Sequence, residues 1–198
     1  MDSIGNLIIP EDQIELVRTA WGTVLAKGEV EAGVVLFKNI FDASPHVAKL
    51  FSFVDESHIG DFESLARNEA LVKHAVGVVR TVTAVIWMLE EEELVTPVLE
   101  DLGARHALYS VEPEHYAIVG SAFLKTMNQT LPPEEFGDDV KEAITALWNQ
   151  VIALLMQKCD PETIELAKCD LRTPIDADDD DDDDQVDPAL LSLWKREL

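Results

Sequence analysis

The sequence predicts an all-α fold of six or more helices of unequal length, and three observations lead to that prediction. Apolar residues recur at intervals of three and four along most of the first 160 residues, which is the period of an amphipathic helix. Alternating patterns typical of β-strands are nearly absent. Finally, 47% of the 198 residues are hydrophobic, which is enough to bury a sizeable core.

The first half of the chain predicts two helices, a turn-rich stretch and a longer third helix. Pro10 and the acidic residues after it suit a helix N-terminus, and Ser44 with Pro45 ends the second helix. In order, these four segments span 10–25, 29–45, 46–61 and about 62–89. Their predicted inward faces comprise Ile14, Val17, Trp21, Leu25, Val30, Val34, Phe37, Phe41, Leu71, His74, Ala75, Val78, Val82, Val85 and Ile86.

The second half predicts three more helices. The first of them is short and interrupted, the second begins at Pro113, and the third is long and amphipathic. They span 94–109, 113–131 and 137–159. Their predicted inward faces comprise Leu99, Leu102, His106, Tyr116, Val119, Ala122, Phe123, Ile144, Leu147, Trp148, Val151, Leu154 and Leu155.

The composition changes past Thr173. Asp178–Asp184 are seven consecutive aspartates whose mutual repulsion opposes compaction, so this region is expected to be disordered. Residues 186–198 then resume a helical pattern, with Leu190, Leu191 and Trp194 on one face. We therefore expect a folded domain over 1–173 and an acidic linker with a short amphipathic segment over 174–198. That segment is either a frayed tail or a helix that docks on this domain or on a partner.

The charge of the chain excludes some classes of partner. A net charge of −24 repels nucleic acid and anionic lipid, so neither is an expected partner.

The N-terminus lacks a secretory signal, Asp2 rules out N-myristoylation, and the apolar run 82–89 is too short to span a bilayer. With only Cys159 and Cys169, the chain has no disulfide scaffold. We expect a cytoplasmic protein.

Two histidines stand on the apolar faces of different helices. His74 lies in "ALVKHAVGVV", and taken alone such a histidine is more often a hydrogen-bonded core residue than a ligand. His106 follows 32 residues later and lies one turn after Leu102, whose carbonyl is placed to accept its ring N–H. Two imidazoles on two apolar helices could face one another across a flat cofactor.

Several residues at fixed spacing resemble the globin family, and within it the neuroglobin and globin X type. Trp21 matches the tryptophan of the first helix, Pro45 the proline of the turn after the second, and Phe51 the phenylalanine against the heme face. "KHAVGVV" resembles the distal segment around His74, and "LGARHALYSV" the proximal segment around His106. Phenylalanine at position 37 and the interval between the histidines favour the neuroglobin type. The resemblance covers about residues 10–160 and implies six to eight helices around a heme pocket.

The resemblance implies a heme b cofactor and a set of pocket residues. His106 would be the proximal iron ligand, and His74 the distal residue, which either bonds the iron at rest or donates a hydrogen bond to a bound gas. The remaining lining would be apolar and exclude water: Phe37, Phe51, Val78, Leu102 and Val111.

The other histidines and nearby cations are assigned no role in the pocket. His46 and His115 are expected at the surface and His58 in a solvated loop. Lys73 and Arg105 are expected to be solvated charges rather than partners of heme propionates.

Three positions depart from the family pattern. Gly77 stands where neuroglobins carry a lysine three residues after the distal histidine, so a propionate partner is missing. Arg105 stands before the proximal histidine, where many globins have a hydroxyl. Asp2 replaces the glycine through which globin X proteins are lipid-anchored.

Three functions fit this pattern, and reversible binding of oxygen, carbon monoxide or nitric oxide is favoured. The second is an enzyme, a nitric oxide dioxygenase or a nitrite reductase, which would need a separate reductase as electron donor. The third is a redox-signalling protein whose acidic surface and Asp178–Asp184 dock a basic partner.

Overall fold

The computed structural model describes residues 9–54 and 61–157, and within them it contains α-helices and short 3-10 turns but no strand. The α-helices, in chain order, are α1 (Glu11–Leu25), α2 (Glu29–Ala43), α3 (Phe62–Ala66), α4 (Glu69–Trp87), α5 (Glu92–Leu108), α6 (Pro113–Thr130) and α7 (Asp138–Met156). The 3-10 turns are Pro45–Leu50 and Pro133–Glu135. The predicted all-α fold is confirmed.

The prediction of a single helix over 62–89 is wrong, because the helical conformation is interrupted between α3 and α4. Asn68 leaves the helical conformation, with ψ of 106°, and its side-chain oxygen accepts a hydrogen bond from the backbone N–H of Leu71. It is therefore the N-cap of a new helix, a role that asparagine fills well. The periodicity of apolar residues continues across the break, which is why the pattern alone does not reveal it.

The prediction of an interrupted helix over 94–109 is also wrong, because α5 is continuous through Pro97. Proline costs a helix one backbone hydrogen bond and adds a steric clash with the preceding turn. Pro97 stands near the start of α5, six residues in, where few ladder bonds are affected. The helix therefore runs without interruption to Leu108 and carries His106 in its last turn.

Helix α2 lies at the centre of the fold and packs against both α4 and α6. It approaches α4 most closely at Gly33, where an added Cβ would lie 2.8 Å from the carbonyl oxygen of Ala75. Only glycine permits this close approach. The contact fixes the position of α4 around Ala75, and therefore that of the adjacent His74. Val30 was predicted to face inward but is 53% exposed, because it lies in the first turn of α2, before this crossing.

Helix α5 packs against α7, and the contact is equally close at one point. A Cβ added at Gly103 would lie 1.8 Å from the carbonyl oxygen of Leu155. Gly103 stands three residues before His106, so this contact sets the position of the second histidine. The predicted core residue Trp21 is 3% exposed, stacks on Phe123 and donates a hydrogen bond from Nε1 to Thr83 Oγ1 at 3.0 Å.

By length and composition, α4 is the one helix in the described ranges that could cross a membrane, with a mean hydropathy of 1.4. Residues 82–87 of the shorter apolar run 82–89 form its last part. An apolar core helix meets the same two criteria, and α4 is packed against α2 and α1 here.

Residues 158–198 lie outside the described residues. They include Cys159, Cys169, the aspartate run and the terminal amphipathic segment. The expected division into 1–173 and 174–198, and the expected disorder of the tail, therefore stay predictions.

Candidate functional site

The site begins with His106 on α5. Its Nδ1 lies 2.8 Å from the carbonyl oxygen of Leu102, and because a carbonyl only accepts, Nδ1 must donate. That bond assigns the ring proton to Nδ1 and leaves the lone pair on Nε2. Within the part of the chain that the structure describes, the ring of His106 makes no further hydrogen bond. The sequence predicted this bond, since residues four apart on a helix lie one above the other.

The surroundings of His106 favour the neutral form of its imidazole. Burial lowers its pKa below the ordinary value of 6.5, and the hydrogen bond to Leu102 only partly offsets this. Electrostatic repulsion from His74 and from Arg105 lowers the pKa further. A neutral imidazole with an available Nε2 is the form that coordinates a metal ion.

His74 on α4 is surrounded by aromatic rings. Its ring centroid lies 5.4 Å from that of Phe37, 5.3 Å from that of Phe51 and 6.1 Å from that of Phe53. Phe37 and Phe51 contact each other edge-on at 5.6 Å. The structure thus brings together Phe37, Phe51 and His74, which the resemblance assigns to one pocket, while their contact with a cofactor stays a prediction.

Two aromatic residues at the site were not predicted. Phe53 joins the rings around His74, and the ring of Tyr116 on α6 lies 6.2 Å from that of His106. The signal for Phe53 was its place two residues after Phe51 in the aromatic stretch, and the signal for Tyr116 was its inward position on a predicted helix. Neither signal says which ring a side chain contacts.

The remaining predicted lining residues are partly buried and pack against the hydrophobic core. They are Val78, Leu102 and Val111. The backbone N–H of Val111 donates to the carbonyl oxygen of His106 at 3.1 Å, so the chain turns sharply where it leaves α5. The structure thus gives these three an apolar setting, while their contact with a cofactor stays a prediction.

The expectation that His115 lies at the surface is wrong, because it is only 9% exposed. Its Nδ1 accepts a hydrogen bond from the backbone N–H of Glu112 at 2.8 Å, which closes a capping box at the start of α6. His46 is exposed, as expected, and lies within 2.9 Å of Ser44 Oγ. His58 lies outside the described residues.

The nearby charges do not form a metal site of their own. Arg105 pairs with Asp101 at 2.8 Å, and Lys73 is exposed. In the described ranges, no group of three or more histidine, cysteine or acidic side chains is arranged to hold a metal ion. The donor set at the site is therefore two imidazoles on two helices, among aromatic and aliphatic side chains, and it suits heme iron.

Several known proteins are similar to this chain in sequence. The family model described as Globin matches residues 34–155. An anaerobic nitrite reductase of Gossypium hirsutum is 30% identical over 158 residues, covering 78% of this chain and 93% of the relative. A second anaerobic nitrite reductase, from Casuarina glauca, is 28% identical over 166 residues, covering 82% of this chain and 100% of the relative.

A solved structure shares the fold. The neuroglobin from the photosymbiotic marine acoel Symsagittifera roscoffensis matches with a TM-score of 0.67 and 16% identity, covering 76% of this chain and 99% of that chain. At that identity the match shows the fold alone. The family match spans most of the helical region, and globins bind heme and diatomic gases. From these comparisons and the fold, we conclude that the chain belongs to the globin family.

Proposed function

We propose that this protein binds heme b, with His106 as the proximal iron ligand, and reversibly binds oxygen, carbon monoxide or nitric oxide. The observation that carries the proposal is the hydrogen bond from His106 Nδ1 to the Leu102 carbonyl, which directs the lone pair of Nε2 away from α5. Heme iron, when bound, supplies the coordination position at which a diatomic gas binds.

His106 is prepared for this role by the rest of the fold. The bond to Leu102 holds the ring in one tautomer and one orientation, and it increases the electron density on Nε2. Burial lowers the pKa of His106 below its ordinary value, which favours the neutral imidazole and reduces competition between protons and a metal ion for Nε2. The Tyr116 ring lies alongside and limits rotation of the imidazole.

His74 is proposed as the distal residue, bonding the iron at rest. The rings of Phe37, Phe51 and Phe53 restrict its movement and exclude water from its surroundings. Val78, Leu102 and Val111 extend the apolar lining. A gas ligand would displace His74, and its apparent affinity would then fall by the fraction of molecules in which His74 has moved away.

Optical spectroscopy of the reconstituted protein tests the proposal. A Soret band after heme addition is expected, and paired, sharp visible bands in the ferrous form would report two imidazole ligands. His74→Leu should convert these bands to one broad band. His46→Leu is the matched control, because His46 is exposed and contacts Ser44 and His115 instead of the aromatic rings. Absence of a Soret band would refute heme binding, and an unchanged spectrum in His74→Leu would refute distal ligation.

The proximal assignment has its own experiment. His106→Gly should lose most of its bound heme, since the residue that anchors the iron is gone. Added imidazole should restore binding, because it can occupy the space left by the side chain. Full heme retention in His106→Gly without imidazole would show that another residue is the ligand.

A second candidate function is nitrite reduction, favoured by the names of the two plant relatives. Nitrite takes up one electron and two protons to give nitric oxide and water, and a separate reductase would return the electron. His74→Leu should then react faster than the unaltered protein, because nitrite no longer competes with His74. The measurement is nitric oxide release from the reduced protein without oxygen. A rate equal to that of free heme would remove this candidate.

A further inference from the structure

We propose that Asn68 is a positioning residue for His74, and that it acts by tying the loop carrying Phe51 and Phe53 to the start of α4. This inference rests on the proposed function, since it concerns the residue proposed to bond the iron. Asn68 itself contacts neither histidine. Its effect would pass through the aromatic rings that surround His74.

The side-chain amide of Asn68 makes two hydrogen bonds in opposite directions. Its Oδ1 accepts from the backbone N–H of Leu71 at 3.1 Å, and its Nδ2 donates to the carbonyl oxygen of Phe53 at 2.8 Å. The orientation of the amide is unambiguous. In the reverse orientation the NH2 group would face the Leu71 N–H, which also donates, and the oxygen would face the Phe53 carbonyl, which also accepts. One side chain therefore caps α4 and holds a residue 15 positions earlier in the chain.

The held residue belongs to the aromatic surroundings of His74. Phe53 contacts both Phe51, at 5.7 Å, and His74, at 6.1 Å. A tight turn links the loop internally, since the N–H of Val54 donates to the carbonyl of Phe51 at 3.0 Å. Fixing the carbonyl of Phe53 therefore fixes two of the three rings around His74. The third, Phe37, is held independently by α2.

The geometry also explains why the residue is an asparagine. Aspartate would cap α4 equally well but has no donor for the Phe53 carbonyl. Serine and threonine also cap helices, but their single hydroxyl cannot stand at the positions of both Oδ1 and Nδ2. The chain between the two bonded positions passes through residues 55–60, which the structure does not describe. The Asn68–Phe53 bond is thus a direct link between the loop and the distal helix that bypasses this segment.

The test uses substitutions that separate the two bonds. Asn68→Ser keeps an acceptor for the Leu71 N–H, but its single hydroxyl oxygen cannot stand at the positions of both Oδ1 and Nδ2. The bond to Phe53 is therefore lost, so α4 stays capped while the loop is released. Asn68→Asp does the same and adds repulsion between a carboxylate and the Phe53 carbonyl. Asp61→Ala is the matched control, because it removes the corresponding cap of α3, a bond to the Ser64 N–H at 3.3 Å, without touching the loop.

Two measurements on the purified full-length protein decide the outcome. The limiting rate of carbon monoxide binding at saturating gas reports how often His74 leaves the iron, and we expect Asn68→Ser to raise it roughly three- to tenfold, the range for one lost hydrogen bond. Hydrogen exchange at Phe51 and Val54 should accelerate by a similar factor. Asp61→Ala should change neither.

The proposal is overturned if Asn68→Ser and Asn68→Asp leave the carbon monoxide rate unchanged, or if Asp61→Ala raises it equally. Faster exchange in the loop without a faster binding rate also overturns it, since the loop would then not position His74. Failure of the proposed function gives a different pattern. A protein without a Soret band, or with one broad ferrous band in its unaltered form, contradicts the heme or His74 assignment. In that case hydrogen exchange still tests the role of Asn68. An unchanged exchange rate at Phe51 and Val54 in Asn68→Ser would show that the loop does not depend on the Asn68–Phe53 bond.

Discussion

The crossing of α5 and α7 at Gly103 provides a direct test of how the fold holds the proximal histidine. We predict that Gly103→Ala destabilises the protein. The new Cβ would lie 1.8 Å from the carbonyl oxygen of Leu155 and 2.6 Å from the carbonyl carbon, whereas ordinary contact begins at 3.4 Å. Because both obstacles are backbone atoms, no side-chain rotation relieves the overlap, and the helices must separate by about 1.6 Å.

The size of the effect follows from two opposing contributions. Overpacking a tight interior costs up to about 3 kcal/mol, and a backbone obstacle places this site at the upper end. Replacing glycine by alanine inside a helix returns about 1 kcal/mol through helix propensity. The expected net loss in the free energy of unfolding is about 2 kcal/mol, which lowers Tm by roughly 4–8 °C for a domain of this size.

Gly22→Ala is the matched control. Gly22 lies inside α1, is exposed, and would have no neighbour within 4 Å of an added Cβ. Only the propensity contribution applies there, so the free energy of unfolding should rise by up to about 1 kcal/mol. Thermal unfolding followed by far-ultraviolet circular dichroism measures both variants. If Gly103→Ala were as stable as Gly22→Ala, the close approach of α5 and α7 would not exist in solution. Gly103→Ala should also retain heme less well, since α5 carries His106.

Three further predictions concern single side chains. The pKa of His106 is lowered in the folded state, so the unfolded chain binds a proton first as pH falls below about 6.5. The stability of the heme-free protein should therefore decline from there toward lower pH, and denaturant titrations should show a weaker decline in His106→Gln. Arg18→Met should lower the free energy of unfolding by about 1 kcal/mol, because Arg18 donates to the carbonyls of Ile86 and Trp87 at the end of α4. Equal stability of this variant and the unaltered protein in the same titrations would refute this role. Asn39→Asp should lower the free energy of unfolding by about 3 kcal/mol or more, because a fully buried carboxylate would face the side-chain oxygen of Gln129. An unchanged midpoint of urea unfolding would contradict this prediction.

Much of the site was predictable because its information is local. The bond between His106 and Leu102 joins residues one turn apart, so helical periodicity suffices to place it. The contacts of His74 with Phe37 and Phe51 join residues far apart in the chain. The family resemblance assigns these three residues to one pocket, whereas periodicity alone leaves His74 as a core residue and says nothing of their contacts.

The errors have a common physical cause. The break at Asn68 interrupts an unbroken apolar pattern, and its amide is held by Phe53, which lies far from it in sequence. His115 was expected at the surface because it starts a helix, yet it is buried and accepts a backbone N–H there. Val30 matches the inward period of α2 but precedes the crossing with α4. In each case the pattern describes an apolar face of one helix, and it carries no information on the caps and helix crossings that end or cover that face.

The sequence by itself therefore determined the all-α class, the two histidines on apolar faces and the tautomer of His106, since each follows from helical periodicity or from contacts within a single turn. Only the tertiary structure decided that Phe53 joins the rings around His74 and that Asn68 links that loop to α4. It also decided that Gly33 and Gly103 are the points where helices meet backbone to backbone. These features depend on how closely two helices approach, which is a property of the packed core and is written in no single segment.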